Sequence, residues 1–242
     1  MKNLIFILIL LSLVSCNDRN PRIGVVEEKD LSQEQIDSIL DEYNFVYSDL
    51  IFIDSTNQAL LPVSTQRSYG RKRYGSSSYE AIDYPNYWNI FFFNTSNDET
   101  NLLTDSKIRI SEFKYNIHNA GPILKNRILY EIGDTDYNQD KRYNYEDPLH
   151  LFISKIDGSD LIRLSPLNEH LTSYKIVPTL DKIIFRTTRD VDSDLDFDNE
   201  DEQIWYQIDL SKSNNYEEII KPSERKLIEK LYFEHWLVKE KE

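Results

Sequence analysis

From Phe45 onward the chain is a succession of short apolar segments: FVYSDLIFID, YWNIFFFN, KIRISEFKYNI, RILYEI, LHLFISKI, YKIVP, KIIFRTT and IWYQIDL. Each is rich in aromatic and β-branched residues, carries the period of a strand, and is set off by turn-formers such as DSTNQ, NTSNDET and DGSD. The body, residues 45–221, is therefore predicted to be mainly β. A helix is expected on either side of it. In residues 31–44, LSQEQIDSILDEYN, Ser32 and Gln35 stand at capping-box spacing, and Ile36, Ile39, Leu40 and Tyr43 fall at i, i+3, i+4 and i+7. In residues 222–242, Leu227, Ile228, Leu231, Tyr232 and Trp236 lie near one helical stripe, which predicts a C-terminal helix packed across the sheets. A closing strand over LYFEHWLV is the alternative. The basic stretch Gln66 to Tyr79 is expected to be a surface loop.

Two acidic segments share one register. DYNQDKRYNYED places Asp136, Asn138, Asp140 and Asp147 at loop positions 1, 3, 5 and 12, with Tyr143 at position 8. DVDSDLDFDNED does the same with Asp190, Asp192, Asp194 and Asp201, and has Phe197 at position 8. A hard dication takes six to eight oxygens, and a tightly turning chain supplies them from alternate early side chains and one late carboxylate. Position 7 offers only its backbone carbonyl, so Arg142 and Asp196 fit there as well as any residue. The spacing predicts calcium at both loops. Position 6, where glycine normally makes the sharp turn, is Lys141 in one loop and Leu195 in the other, and position 12 is Asp rather than Glu. Both features weaken the expected affinity. The competing reading is a pair of solvated acidic turns, or an edge strand with Asp on one face.

At the other end, Lys2 precedes an apolar run from Leu4 to Leu11 that is too short to span a membrane. The run closes on Leu13-Val14-Ser15-Cys16, which resembles the lipobox of bacterial lipoproteins, with the chain's only cysteine in the place such a motif needs it. That resemblance implies a signal peptide over residues 1–15, an acyl chain on Cys16, a tether over residues 16–30, and a cell-envelope, outer-membrane location. With its one thiol committed to lipid, such a chain has no disulfides, and metal ions are a plausible substitute.

WNIFFFNTSNDETNLLTDSK (from Trp88), LHLFISKIDGSDLIRLSPLN (from Leu149) and IWYQIDLSKSNNYEEIIKPS (from Ile204) share a layout of strand, polar turn and second short strand, at spacings of 61 and 55 residues. The layout resembles the outer hairpin of a TolB-like β-propeller blade. It implies a small or partial propeller-like array, with RISEFKYN and YKIVPTLDKIIFRTT as inner strands and Phe52 to Thr65 as a weaker fourth copy. In lipoproteins of similar pattern a calcium loop precedes an EDP turn, which Glu146-Asp147-Pro148 matches.

No catalytic motif is visible: the four histidines have no metal-ligand spacing, and there is no GxSxG elbow and no phosphate-cradling glycine run. The net charge of −14 argues against nucleic acid as a partner. The sequence thus points to a lipid-anchored binding or scaffold protein with an unidentified protein or glycan partner. The alternative is a hydrolase, or an accessory subunit of one, acting on envelope polymers; carboxylates converging in a pocket would favour that.

Overall fold

The structure, a computed structural model, describes residues 32–34, 37, 43–67, 87–140 and 143–237. Cys16, the signal segment, the tether, Arg142 and most of the basic loop lie outside the described residues.

Three antiparallel sheets follow one another along the chain. The first has the order β1-β3-β4-β5, built from Tyr43–Tyr47, Gln58–Arg67, Asn89–Asn94 and Thr100–Leu102, with β2 (Ile51–Phe52) pairing beside β1 on β3. The second runs β6-β7-β8-β9: Arg109–Lys114, Arg127–Gly133, His150–Lys155 and Ile162–Arg163. The third runs β10-β11-β12-β13: Glu169–Ile176, Lys182–Arg189, Glu202–Asp209 and Tyr216–Glu218. The second and third are simple meanders, as in propeller blades. The three repeated hairpins read from the sequence are β4–β5, β8–β9 and β12–β13, the last two strands of each sheet.

Period-two alternation makes the stack. In β7, Ile128, Tyr130 and Ile132 face a core shared with Leu60, Ile90 and Phe92 of the first sheet. Leu129, between them, faces the other way, into a core with Phe185, Ile204 and Ile208 of the third sheet. The middle sheet is thus buried on both faces. Gly158, at φ 81 in the β8–β9 turn, lies against the Phe92 ring, where a side chain would collide.

Three expectations need correction. Phe52 to Thr65 is no outer hairpin: it is β2 with most of β3, the long central strand of the first sheet. Pro62 disguises that strand. It is tolerated because it lies opposite the break between β1 and β2, where its carbonyl accepts from the Ser48 amide (3.0 Å) and only one ladder bond is forgone. The N-terminal helix, expected over 31–44, includes Gln33, Glu34 and Asp37, but Tyr43 and Asn44 begin β1. The C-terminal helix α1, Pro222–His235, forms with Pro222 in its first turn and the Glu224 carboxylate accepting the Lys221 amide at 2.7 Å. It does not pack across the sheets. Leu227, Ile228, Leu231, Tyr232 and Trp236 are all exposed, and α1 is tied to the third sheet by Arg225, which reaches Glu202 (3.0 Å) and Glu218 (2.9 Å). No helix among the described residues is long and apolar enough to cross a membrane.

Candidate metal-binding loops and the cleft between them

The first acidic segment begins three residues after β7 and the second directly after β11, and they return into β8 and β12 of the same sheets. They have the same internal wiring. The position 2 amide donates to the position 12 carboxylate in each: Tyr137 to Asp147 and Val191 to Asp201, both at 2.9 Å. The position 9 amide donates to the other oxygen of that carboxylate, Asn144 to Asp147 at 2.9 Å and Asp198 to Asp201 at 3.1 Å. The position 5 amide donates to the position 3 side chain, Asp140 to Asn138 (3.1 Å) and Asp194 to Asp192 (3.3 Å). Position 4 is left-handed in both, Gln139 at φ 60 and Ser193 at φ 66. Leu195, at position 6, has φ 69, the conformation for which a glycine is usual.

The second loop gathers Asp190, Asp192 and Asp194 so that one oxygen from each lies within 4.8 Å of the others. Such a set suits a hard cation, since each oxygen already accepting an amide retains a second lone pair. Asp196 donates its amide to Asp194 Oδ1 at 2.9 Å, leaving its own carbonyl on the loop backbone. In the first loop Asp147 is buried. Its burial raises its carboxyl pKa, the Asn144 and Tyr137 amides oppose that, and the charges of Asp136 and Asp140 raise it further. Among the described residues only Asp190, Asp192 and Asp194 are gathered within 4.8 Å; Asp136, Asp140 and Asp147 of the first loop are not.

The loops meet. The Tyr137 hydroxyl donates to Asp190 Oδ2 at 3.1 Å, and the Phe197 ring lies 5.0 Å from that of Tyr137 and 5.6 Å from that of His170. Between them opens a cleft of about 740 Å³, lined among others by Asp136, Tyr137, Asp190, Leu195, Arg189 and Tyr216.

Two buried ion clusters hold the loop stems, and sequence spacing had not revealed either. At the first, the fully buried His150 meets Asp134 Oδ1 at 2.6 Å through Nδ1 and the Leu167 carbonyl at 2.7 Å through Nε2, while Arg163 reaches Asp134 Oδ2 at 2.9 Å. Burial would raise the Asp134 carboxyl pKa, but the hydrogen bond and charge of His150, with Arg163, outweigh it and hold the group below its ordinary range. At the second, the buried Glu169 accepts from Thr187 (2.5 Å), Tyr206 (3.1 Å) and Arg189 (2.8 Å). Burial would lower the Arg189 pKa, and Glu169 raises it above its ordinary value instead. A second cleft, of about 790 Å³, lies apart from the loops between β6 and β10.

The sequence matches no protein-family model and no curated protein. Among solved structures it is similar to a TolB from Agrobacterium tumefaciens, at 13% identity and a TM-score of 0.32; the match covers 67% of this chain and 60% of that one. Similarity of that degree does not extend to ligand, partner or location.

Proposed function

We propose that this is a lipid-anchored cell-envelope protein that binds or scaffolds a protein or glycan partner, with a β body stabilised by calcium at two equivalent loops. The duplicated wiring carries the reading: two segments 54 residues apart, with little sequence in common beyond their oxygen-bearing positions, make the same three amide-to-side-chain bonds. Asp136, Asn138, Asp140 and Asp147 would hold one ion, and Asp190, Asp192, Asp194 and Asp201 the other, with the carbonyls of Arg142 and Asp196 at position 7. The ions would neutralise carboxylates that otherwise repel one another and would fix both rims of the intervening cleft, presenting it rigidly to a partner.

Calorimetry on the mature chain, with fractionation of cells expressing Cys16→Ser, tests the two halves separately. Calcium binding with a rise in Tm, and loss of the variant from the membrane fraction, are expected. No heat and no thermal shift at millimolar calcium would reduce both loops to solvated turns. Normal processing and membrane retention of Cys16→Ser would remove the anchor.

A further inference from the structure

The cleft between the second and third sheets contains an arrangement that the loops do not explain. Glu112 on β6 and Glu131 on β7 are direct register partners, just past a bulge between Ile110 and Glu112, so their carboxylates project side by side from one face. Like charges directly opposed on a ladder are destabilising. The opposite wall, from β10, brings Tyr174, and Ile117 and Ile176 add apolar surface beside its ring. The side chains of Glu112, Glu131 and Tyr174 make no hydrogen bond or ion pair with any described residue; Glu131 and Tyr174 are half-buried, while Glu112, like Lys114 and Lys175 in the same cleft, stands at an exposed position. Their proximity registers electrostatically: burial, and then the charge of Glu112, raises the Glu131 pKa, and burial followed by both glutamates raises that of Tyr174.

From this geometry we infer that the cleft between β6 and β10 binds a small organic cation, an aliphatic ammonium seated on the Glu112–Glu131 pair with its carbon chain against Tyr174 and Ile176. Placement decides between binding and hydrolysis. A glycosidase sets its two carboxyl groups on either side of the scissile bond, whereas these stand together on one wall and address a single group jointly. A bound ammonium supplies the countercharge the pair lacks and donates up to three hydrogen bonds, enough for both carboxylates and the Tyr174 hydroxyl. The exposed lysines do not fill that role, and they oppose the ligand's charge from the rim. This site is independent of calcium at the acidic loops.

The test is calorimetric titration of the mature chain with n-butylammonium, against 1-butanol as neutral isostere, at constant calcium. Saturable millimolar binding of the amine and none of the alcohol is expected. Glu131→Gln and Glu112→Gln should each weaken it about tenfold, while Lys175→Gln should tighten it, because a like charge leaves the rim. Both Gln variants relieve repulsion, so their melting temperatures without ligand should match or exceed the parent's, which shows that they fold. Equal affinity for alcohol and amine, unchanged affinity in the double Gln variant, weaker binding in Lys175→Gln, or no binding at about 50 mM amine would each overturn the inference.

Discussion

Asp147 and Asp201 close equivalent loops with equivalent pairs of amide bonds, yet Asp147 is 1% exposed while Asp201 is half-buried, at the end of a loop whose residues Val191 to Glu200 are nearly all exposed. The first loop is embedded: Asn144 and Pro148 are buried, and one position carries Asn138 in place of a carboxylate. The second depends on its own side chains, four carboxylates at positions 1, 3, 5 and 12 with three more among Asp196, Asp198 and Glu200. One backbone plan is therefore maintained in two ways. Packing holds it in the first loop, while in the second the mutual repulsion of the carboxylates works against it.

The comparison breaks most readily at position 12. Asp147→Ala removes a buried carboxylate and strands two amides, and with charge-assisted hydrogen bonds at 1.5–3 kcal/mol each the loss should be about 3 kcal/mol. Asp201→Ala exposes its freed amides to water and should lose about 1 kcal/mol. Urea denaturation of both variants in excess chelator measures the difference. Equal losses would show that burial does not distinguish the loops.

Calcium should reverse the order. Only the folded chain assembles the ligands, so ion at 100 times Kd adds about 2.7 kcal/mol per independent site. The second loop, with carboxylates at all four positions, is expected to be the tighter. Asp190→Ala with Asp194→Ala should remove most of the rise in Tm, and Asp136→Ala a smaller part. A larger loss from Asp136→Ala would place the stronger site in the embedded loop.

How much of this was legible in sequence depends on the range of the signal. The strands were, because a run of apolar, β-branched and aromatic residues such as RILYEI is a local signal; β3 was not, because Pro62 masks a strand whose tolerance for proline comes from a gap in its neighbour. The loop register was legible because its oxygen-bearing positions lie within twelve residues. The stem clusters were not: Asp134 finds His150 and Glu169 finds Arg189 only through strand pairing, 16 and 20 residues apart. Nor could composition have singled out Glu112 and Glu131 in so acidic a chain, since their opposition is a fact of register. The apolar stripe of α1 was read correctly as helical and wrongly as buried, because amphipathic period does not specify what covers it.

A smaller effect should appear with pH, where the loops touch. The His170 ring lies tilted against Phe197 of the second loop, and its Nδ1 accepts the Leu149 amide (3.2 Å), close behind the first. Burial, then the charges of His150 and Arg109, lower its pKa from 6.5. The unfolded chain therefore binds this proton more readily than the folded one. The stability from neutral His170 is complete above pH 6.5 and declines as the pH falls from there through the lower, folded value. Between pH 7 and 5 the parent should lose more stability than His170→Gln in matched urea melts. Parallel curves would mean that His170 titrates alike in both states.

The smallest change expected is a gain. Leu195 sits at φ 69, where a Cβ crowds the following carbonyl at a cost of about 1–2 kcal/mol. Glycine would relieve that but loses about 0.5–1 kcal/mol more backbone entropy on folding, so Leu195→Gly should stabilise the metal-free chain by about 0.5 kcal/mol. Its side chain is exposed, so little packing is lost. Because the relieved turn is the one that gathers Asp190, Asp192 and Asp194, calcium affinity should rise with stability, where a substitution acting on the unfolded chain alone would leave affinity unchanged. Thermal melts with and without calcium separate the two effects. A lower Tm in both conditions would mean that the leucine contributes through the 740 Å³ cleft it lines, and that the strain at position 6 is not what limits the exposed loop.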